Sequence, residues 1–162
     1  MKTSGHKVLI TGATRGIGLA MARRFAEAGN RVVIVGSSTG SVERVLAEEP
    51  SWSGRACDLG SLESRETLIA WIRSEHPDLS VLINYAGVQW DMEGGDDAAT
   101  KLCGEVAVNA EAVVHLCTAL RPVLEQHAEA AIVNVSSGLA IAPKASAPVY
   151  CATKAFVRSY SI

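Results

Sequence analysis

Short runs of β-branched and aliphatic residues alternate along this chain with longer segments of helical periodicity. The runs predict strands at residues 7–10, 31–35, 54–57, 81–84 and 131–135. The segments between them predict helices at residues 16–28, 41–49, 61–75 and 98–126, with a last helix beginning near Tyr150. The longest helix is expected to bend near Asn109 and to be interrupted again at Pro122, after a polar loop over residues 91–97. Short apolar strands that alternate with helices predict a single α/β domain, in which helices cover both faces of a parallel sheet.

Composition excludes several classes of function. An apolar content of 48% over 162 residues is too high for a disordered chain, and a net charge of −2 gives no reason to expect a nucleic acid or an anionic membrane as partner. We find no apolar run of membrane-spanning length and no N-terminal signal region, so we expect a soluble cytoplasmic protein. The cysteines are scattered without a C-x-x-C pair, which favours buried reduced thiols over disulfides or a metal site.

A glycine-rich turn joins the first predicted strand to the first helix, in the order Thr11-Gly12-x-x-x-Gly16-x-Gly18. Glycine lets the backbone turn tightly and approach a pyrophosphate, and the helix N-terminus presents free N–H groups to it. A glycine pattern alone is common in tight turns, but its position between strand and helix favours a dinucleotide site. The expected contacts from this turn are Gly12, Thr14, Arg15, Gly16, Ile17 and Gly18.

The end of the second strand bears on which dinucleotide is bound. An acidic residue there would bind the adenosine 2′-hydroxyl of NAD and repel a 2′-phosphate. This strand is followed by Ser37 and Ser38 with no acid, and the guanidinium of Arg15 suits a phosphate. We therefore expect NADP(H) as cofactor, with NAD(H) as second choice. The alternative is that Arg15 is a solvated turn residue and that the serine-rich loop carries no preference.

Candidate proton-transfer residues follow the fifth strand. Ser136 and Ser137 stand beyond its carboxyl end, where open α/β sheets bind ligands, although a serine there is more often only a turn residue. Tyr150 and Lys154 are four positions apart and share one face of the last helix. A phenol is a poor base near neutral pH, but a nearby ammonium favours the phenolate and makes proton transfer feasible. An isolated Tyr-x-x-x-Lys would otherwise be a half-exposed helix face.

Together these motifs resemble the short-chain dehydrogenase/reductase family, in order and spacing, over the whole chain. The resemblance implies a Rossmann-type doubly wound parallel sheet and an oxidoreductase that moves a hydride between a nicotinamide cofactor and a carbonyl or secondary alcohol. It implies that Ser137, rather than Ser136, polarises the substrate oxygen and that Tyr150 transfers its proton. Lys154 would tune Tyr150 and bind the nicotinamide ribose, and Asn109 would hold a water in the proton relay.

The resemblance also implies cofactor contacts beyond the glycine turn. Asp58 matches the residue that binds the adenine amino group, although an Asp there also suits a cap for the next helix or turn. The segment after the fourth strand resembles the family's Asn-Asn-Ala-Gly, which runs beside the ribose, but has Tyr85 in place of the second Asn. The implied contacts are Asp58, Leu59, Asn84, Ala86, Gly87, Tyr150 and Lys154.

Family members continue well past Ile162, with a further strand and a substrate lid. The sequence is therefore expected to be truncated after the fifth strand and the start of the Tyr/Lys helix. Two interpretations stay open: a fragment of a longer oxidoreductase, which we favour, or a catalytically inactive dinucleotide-binding or interaction protein. The fifth strand would then be an exposed edge that invites pairing, and we expect a homo-oligomer.

The substrate is expected to contact two loops at the carboxyl edge of the sheet, residues 88–90 and 139–143. Both are mostly apolar, with Gln89 as their uncharged polar group and Lys144 just beyond. This composition favours a neutral, fairly hydrophobic carbonyl compound over a small charged keto acid.

Overall fold

The computed structural model describes residues 2–91 and 97–162. Five strands form one parallel sheet in the order β3-β2-β1-β4-β5. They are β1 (Lys7–Thr11), β2 (Arg31–Gly36), β3 (Ser53–Ala56), β4 (Val81–Asn84) and β5 (Ala131–Asn134). The order reverses beside β1, so a crevice opens at the carboxyl ends of β1 and β4, where doubly wound sheets bind ligands. The predicted fold class is confirmed.

Helices cover both faces of this sheet. They are α1 (Gly16–Glu27), α2 (Thr39–Glu48), α3 (Leu62–Glu75), α4 (Ala98–Val106), α5 (Ala112–Leu124) and α6 (Pro148–Tyr160). Because side chains alternate along a strand, Val8 and Ile10 of β1 pack in one core cluster with residues of α1 and α2, while Leu9 packs in the other with residues of α3 and α5. The core therefore has two layers, one on each side of the sheet.

The long helical region differs from its prediction in two ways. A π-helical segment, Ala107–Glu111, replaces the simple bend expected near Asn109, and it joins α4 to α5 without a break. The helix also runs through Pro122 and ends at Leu124, because a proline in the last turn removes a single hydrogen bond. The last helix begins at Pro148, slightly before Tyr150, since proline fits the first helical position. Most of the predicted loop over residues 91–97 lies outside the described residues.

The continuous helical region Ala98–Leu124 is long and apolar enough, by length and composition, to cross a membrane, with a mean hydropathy of 1.2 in its best window. The region is not an uninterrupted apolar run, because Lys101, Glu105 and Glu111 lie within it. The α5 part packs into the core through Val113, Leu116, Leu120 and other side chains, as expected for a core helix of a globular domain.

Strand β5 forms one edge of the described sheet. Ile132 and Val133, in its middle, are 37% and 44% exposed, unlike the fully buried side chains of β4. Such a strand leaves apolar surface and unpaired backbone groups open to another strand or chain.

Candidate cofactor and active site

The glycine turn has room only for glycine at two positions. Gly12 has φ +72°, and a Cβ there would lie 2.9 Å from the Cα of Ala86. A Cβ on Gly18 would lie 2.3 Å from the carbonyl oxygen of Gly12. The turn is tied to β2, since the Gly12 amide donates to the Val35 carbonyl at 2.8 Å. Because Gly12 and Gly18 have no side chains, β1, α1 and the segment after β4 can approach each other closely. The N-terminus of α1 stays accessible to a ligand.

A cavity of about 510 Å³ lies beside this turn, at the carboxyl ends of β1, β2 and β4. It brings together most of the predicted cofactor residues: Gly12, Thr14, Arg15, Gly16, Ile17, Ser37, Asp58, Leu59, Ala86 and Gly87. Residues that sequence reasoning missed also line it: Val35, Gly36, Cys57, Tyr85, Val88 and Val108. Gly18, Ser38, Asn84, Tyr150 and Lys154 do not line it. The glycine turn leaves space that a Cβ would fill, and this space lies at the N-terminus of α1. Such a site fits the pyrophosphate of a dinucleotide.

The rim of the cavity after β2 carries no carboxylate among its lining residues. Arg15 and Ser37 are exposed on this rim. Ser38, which follows outside the lining, is also exposed, and its hydroxyl donates to that of Ser41 at 3.0 Å. Sequence reasoning missed Arg44 of α2, whose Nη2 donates to the carbonyl oxygen of Thr14 at 2.6 Å. This guanidinium holds α2 against the glycine turn, and its Nη1 pairs with Glu48 Oε1 at 3.3 Å.

Asp58 lies exposed in the same cavity, after β3, the strand that pairs with β2. Its Oδ1 accepts from the Gly60 amide at 2.9 Å, so it does stabilise a turn, while Ser61 caps α3 by accepting from the Ser64 amide. The turn role leaves Oδ2 available, so the geometry is compatible with both interpretations of Asp58.

Buried polar residues fix the backbone path of the segment after β4. The Thr11 hydroxyl accepts from the amides of Tyr85 (3.1 Å) and Ala86 (3.0 Å) and so leads the chain along the cavity. Asn84 is buried, and its Nδ2 donates to Asn134 Oδ1 at 2.8 Å. The Asn84 side chain thus ties β4 to β5 and points to the sheet rather than to the cavity.

Lys154 is buried at the middle of α6. Its Nζ donates to the Val135 carbonyl at 2.9 Å and lies 5.8 Å from the ring centroid of Tyr150. Burial lowers the pKa of Lys154, and the side chain has no ion pair within residues 2–91 and 97–162. The two side chains therefore share one face of α6, as their spacing predicts.

The two serines after β5 have different partners. The Ser136 hydroxyl donates to the Lys154 carbonyl at 2.7 Å and so fixes α6 against the end of β5. Ser137 Oγ accepts from the Leu139 amide at 3.2 Å and caps a short 3₁₀ turn, Gly138–Ala140. Accepting leaves the hydroxyl proton of Ser137 free for donation, which suits the role expected of it.

Asn109 lies in the π-helical segment and is fully buried. Its side chain accepts from the Val88 amide at 2.9 Å and donates to the Val88 carbonyl at 2.8 Å and to the Thr153 hydroxyl at 3.2 Å. A Cβ on Gly87 would lie 3.2 Å from Asn109 Oδ1 and 3.4 Å from Lys154 Nζ, so these three residues converge. π-Helical turns are frequent at functional sites.

Comparison with known proteins assigns the chain to a family. The family model for short chain dehydrogenase matches residues 6–161. The chain belongs to the short-chain dehydrogenase family. It is 42% identical over 164 residues to a Bacillus subtilis (strain 168) protein named uncharacterized oxidoreductase DltE, covering 100% of this chain and 65% of that protein. It is 30% identical over 161 residues to the NADP-dependent 3-hydroxy acid dehydrogenase YdfG of Escherichia coli (strain K12), covering 96% and 63%.

Solved structures agree with this assignment. A short-chain dehydrogenase from Sphingobium yanoikuyae in complex with NADPH superposes with a TM-score of 0.84 at 30% identity, covering 97% of this chain and 63% of that one. The chain thus spans a little under two thirds of the length of the curated relatives described above. The shared part contains the sheet, the glycine turn and α6.

Proposed function

We propose that this chain carries the cofactor site and proton-transfer residues of an NADP(H)-preferring oxidoreductase that interconverts a carbonyl and a secondary alcohol. The observation that carries the proposal is the convergence of Lys154, Asn109 and Gly87 beside the glycine-lined cavity. When bound, the nicotinamide cofactor supplies or accepts the hydride. Side chains of this chain polarise the substrate and transfer its proton.

The proton moves at the phenol oxygen of Tyr150. The Ser137 hydroxyl donates a hydrogen bond to the substrate oxygen and polarises it without losing its proton, and Tyr150 alone gives or takes the proton of that oxygen. The ammonium of Lys154 favours the phenolate, and it is held in place by the Val135 carbonyl.

Asn109 is proposed to support this set by fixing the segment after β4. Its two hydrogen bonds to Val88 and a third to Thr153 join that segment to α6, which carries Tyr150 and Lys154. The water-holding role that the family resemblance implies for Asn109 remains part of the proposal. Replacing Tyr150 by Phe in the full product of the gene tests the reaction class, since turnover should collapse while cofactor binding survives.

The preference for NADP(H) rests on the rim after β2. Arg15 and Ser37 line the same cavity and are exposed, and the residues that line it directly after β2 include no carboxylate. The Escherichia coli relative is named as NADP-dependent, and the Sphingobium yanoikuyae structure contains NADPH, which supports the same choice here. Titrations with both reduced cofactors measure the preference directly.

The substrate is proposed to be a neutral, fairly hydrophobic carbonyl compound. An ion pair between Lys144 Nζ and Asp91 Oδ1 at 3.5 Å joins the two loops expected to form the pocket. The charge of Lys144 is thus already balanced, and the exposed side chains of Trp90 and Ile141 leave apolar surface on these loops. Trp90→Ala should weaken the binding of bulky apolar ketones more than that of small ones.

A second candidate function is dinucleotide binding without turnover. The glycine-lined cavity alone supports it, because binding a dinucleotide does not require the proton-transfer residues. A panel of carbonyl compounds separates the two functions: a binder holds NADP(H) but reduces none of them, either as this chain or as the full product of its gene.

We further propose that the protein is a homo-oligomer. A groove of about 870 Å³ lies on the outer surface of α5 and α6, away from the glycine turn, and its apolar lining includes Val106, Ala110, Val114, Val149 and Phe156. Exposed apolar side chains that lie together in a groove suit contact with another protein surface. Phe156→Ser should lower the mass measured by light scattering, whereas Ile162→Ser, an exposed apolar residue outside the groove, should not.

A further inference from the structure

Glu105 stands in the last turn of α4 and is the one carboxylate that is fully buried within residues 2–91 and 97–162. Its Oε2 accepts from the Trp90 amide at 3.2 Å, and its Oε1 has no partner among these residues. Burial raises the pKa of Glu105 above its ordinary value. A buried carboxyl group with one hydrogen bond is costly, so packing alone does not explain a glutamate at this position.

Glu105 belongs to a row of three residues on one helix face, at four-residue spacing. Lys101 Nζ lies 5.9 Å from the centroid of the Trp90 ring, and Asn109 bonds both backbone groups of Val88. Glu105, between them, bonds the amide of Trp90. Each member of the row therefore contacts the segment that follows β4. Among the hydrogen bonds of the described residues, the one from the Trp90 amide to Glu105 is the only one that involves the Trp90 backbone.

The two backbone contacts hold different parts of this segment. Val88 follows Gly87 and lines the cofactor cavity, whereas Trp90 lies outside the cavity lining and is 45% exposed. Asn109 therefore fixes the cofactor side of the segment, and Glu105 fixes the side on which we place the substrate. Without Glu105, the Trp90 amide would have no hydrogen bond within the part of the chain that the structure describes.

We propose that Glu105 is a positioning residue that fixes Trp90 as a wall of the substrate pocket, independently of the cofactor side. The substrate role rests on the proposed function, in which residues 88–90 form that wall. The hydrogen bond requires an acceptor and not a charge, so Gln at position 105 can replace Glu, while an apolar residue cannot.

Amide hydrogen exchange of the 162-residue chain, followed by NMR, tests the contact without any turnover. Glu105→Leu should raise the exchange rate of the Trp90 amide about tenfold, the factor that corresponds to one ordinary hydrogen bond. The Val88 amide should exchange as before, since Asn109 still holds it, and Glu105→Gln should leave both rates near those of the wild type. If the Leu variant does not fold, Glu105→Asp, which is one methylene too short, should show the same selective increase. An unchanged Trp90 rate in the folded Leu or Asp variant would overturn the proposal.

Turnover by the full product of the gene separates this proposal from the proposed function. If Glu105 positions the pocket wall, Glu105→Leu should raise KM for a bulky apolar ketone about tenfold, with little change in kcat or in NADPH affinity. Glu105→Gln should restore KM. Equal losses in kcat and NADPH affinity would contradict a positioning role. A wild type that reduces no carbonyl compound would refute the proposed function, yet the exchange result would still decide whether Glu105 holds Trp90.

Discussion

Replacing Gly18 by Ala tests whether the glycine turn is the cofactor cradle. The new Cβ would lie 2.3 Å from the Gly12 carbonyl oxygen and 2.9 Å from Tyr85 Cδ1, whereas ordinary contacts begin near 3.4 Å. The turn and α1 must therefore separate by on the order of 1 Å, a misplacement that can weaken a positioned interaction by up to about 100-fold. Overpacking of this kind also costs about 1–3 kcal/mol of folding free energy.

The assay is a fluorescence titration with NADPH, combined with urea unfolding to show that the variant is folded. We expect the Kd for NADPH to rise about 10- to 100-fold, because the N–H groups of the α1 N-terminus no longer meet the pyrophosphate. Gly40→Ala is the matched control: it lies in the first turn of α2, has no atom within 4 Å of its added Cβ, and should leave NADPH binding unchanged. A folded Gly18→Ala variant with wild-type affinity would refute the assignment of the cradle.

Three further substitutions test the cofactor preference, the reaction and the buried acid. Ser37→Asp should shift the ratio of the NADPH and NADH dissociation constants at least about tenfold toward NADH, because its carboxylate repels the 2′-phosphate, and an unchanged ratio would exclude Ser37 from that site. Tyr150→Phe should lower kcat about 10²- to 10⁴-fold in the full gene product, with NADPH affinity kept, and wild-type turnover would refute the proton-transfer role. Burial raises the pKa of Glu105 above its ordinary 4.5, so the folded state retains a proton that the unfolded state releases. The free energy of unfolding of the wild type should therefore fall relative to that of Glu105→Gln as pH rises above about 4.5, until the folded pKa is passed; parallel urea-unfolding profiles across pH would contradict this.

The fold could be predicted because its signals are local. The β-branched runs of β1, β2 and β4 and the glycine turn between β1 and α1 are readable over a few residues, and the structure has each of them near the expected place. The π-helical segment and the continuous helix through Pro122 could not be predicted in the same way. Both depend on how the helix packs on the sheet and on α6, which a local pattern does not contain.

Residues of the candidate site that belong to a sequence motif could be predicted. Contacts between residues that are distant in the sequence could not. The glycine turn, Ser37 and Asp58 line one cavity as their motifs indicate. Arg44 meets Thr14 across 30 positions and Glu105 meets Trp90 across 15, so no spacing rule connects them. Asn84 fits its motif, yet its side chain bonds Asn134 of the neighbouring strand, a contact that only the sheet order creates.

The most direct test of the account is calorimetric titration of the 162-residue chain with NADPH and with NADH. We predict that both cofactors bind in a single site, NADPH more tightly, because the cavity has a glycine cradle, exposed Arg15 and no carboxylate lining its rim after β2. Tighter binding of NADH would contradict the proposed preference. Binding of neither cofactor by the folded chain would contradict the central claim that this cavity is a dinucleotide site.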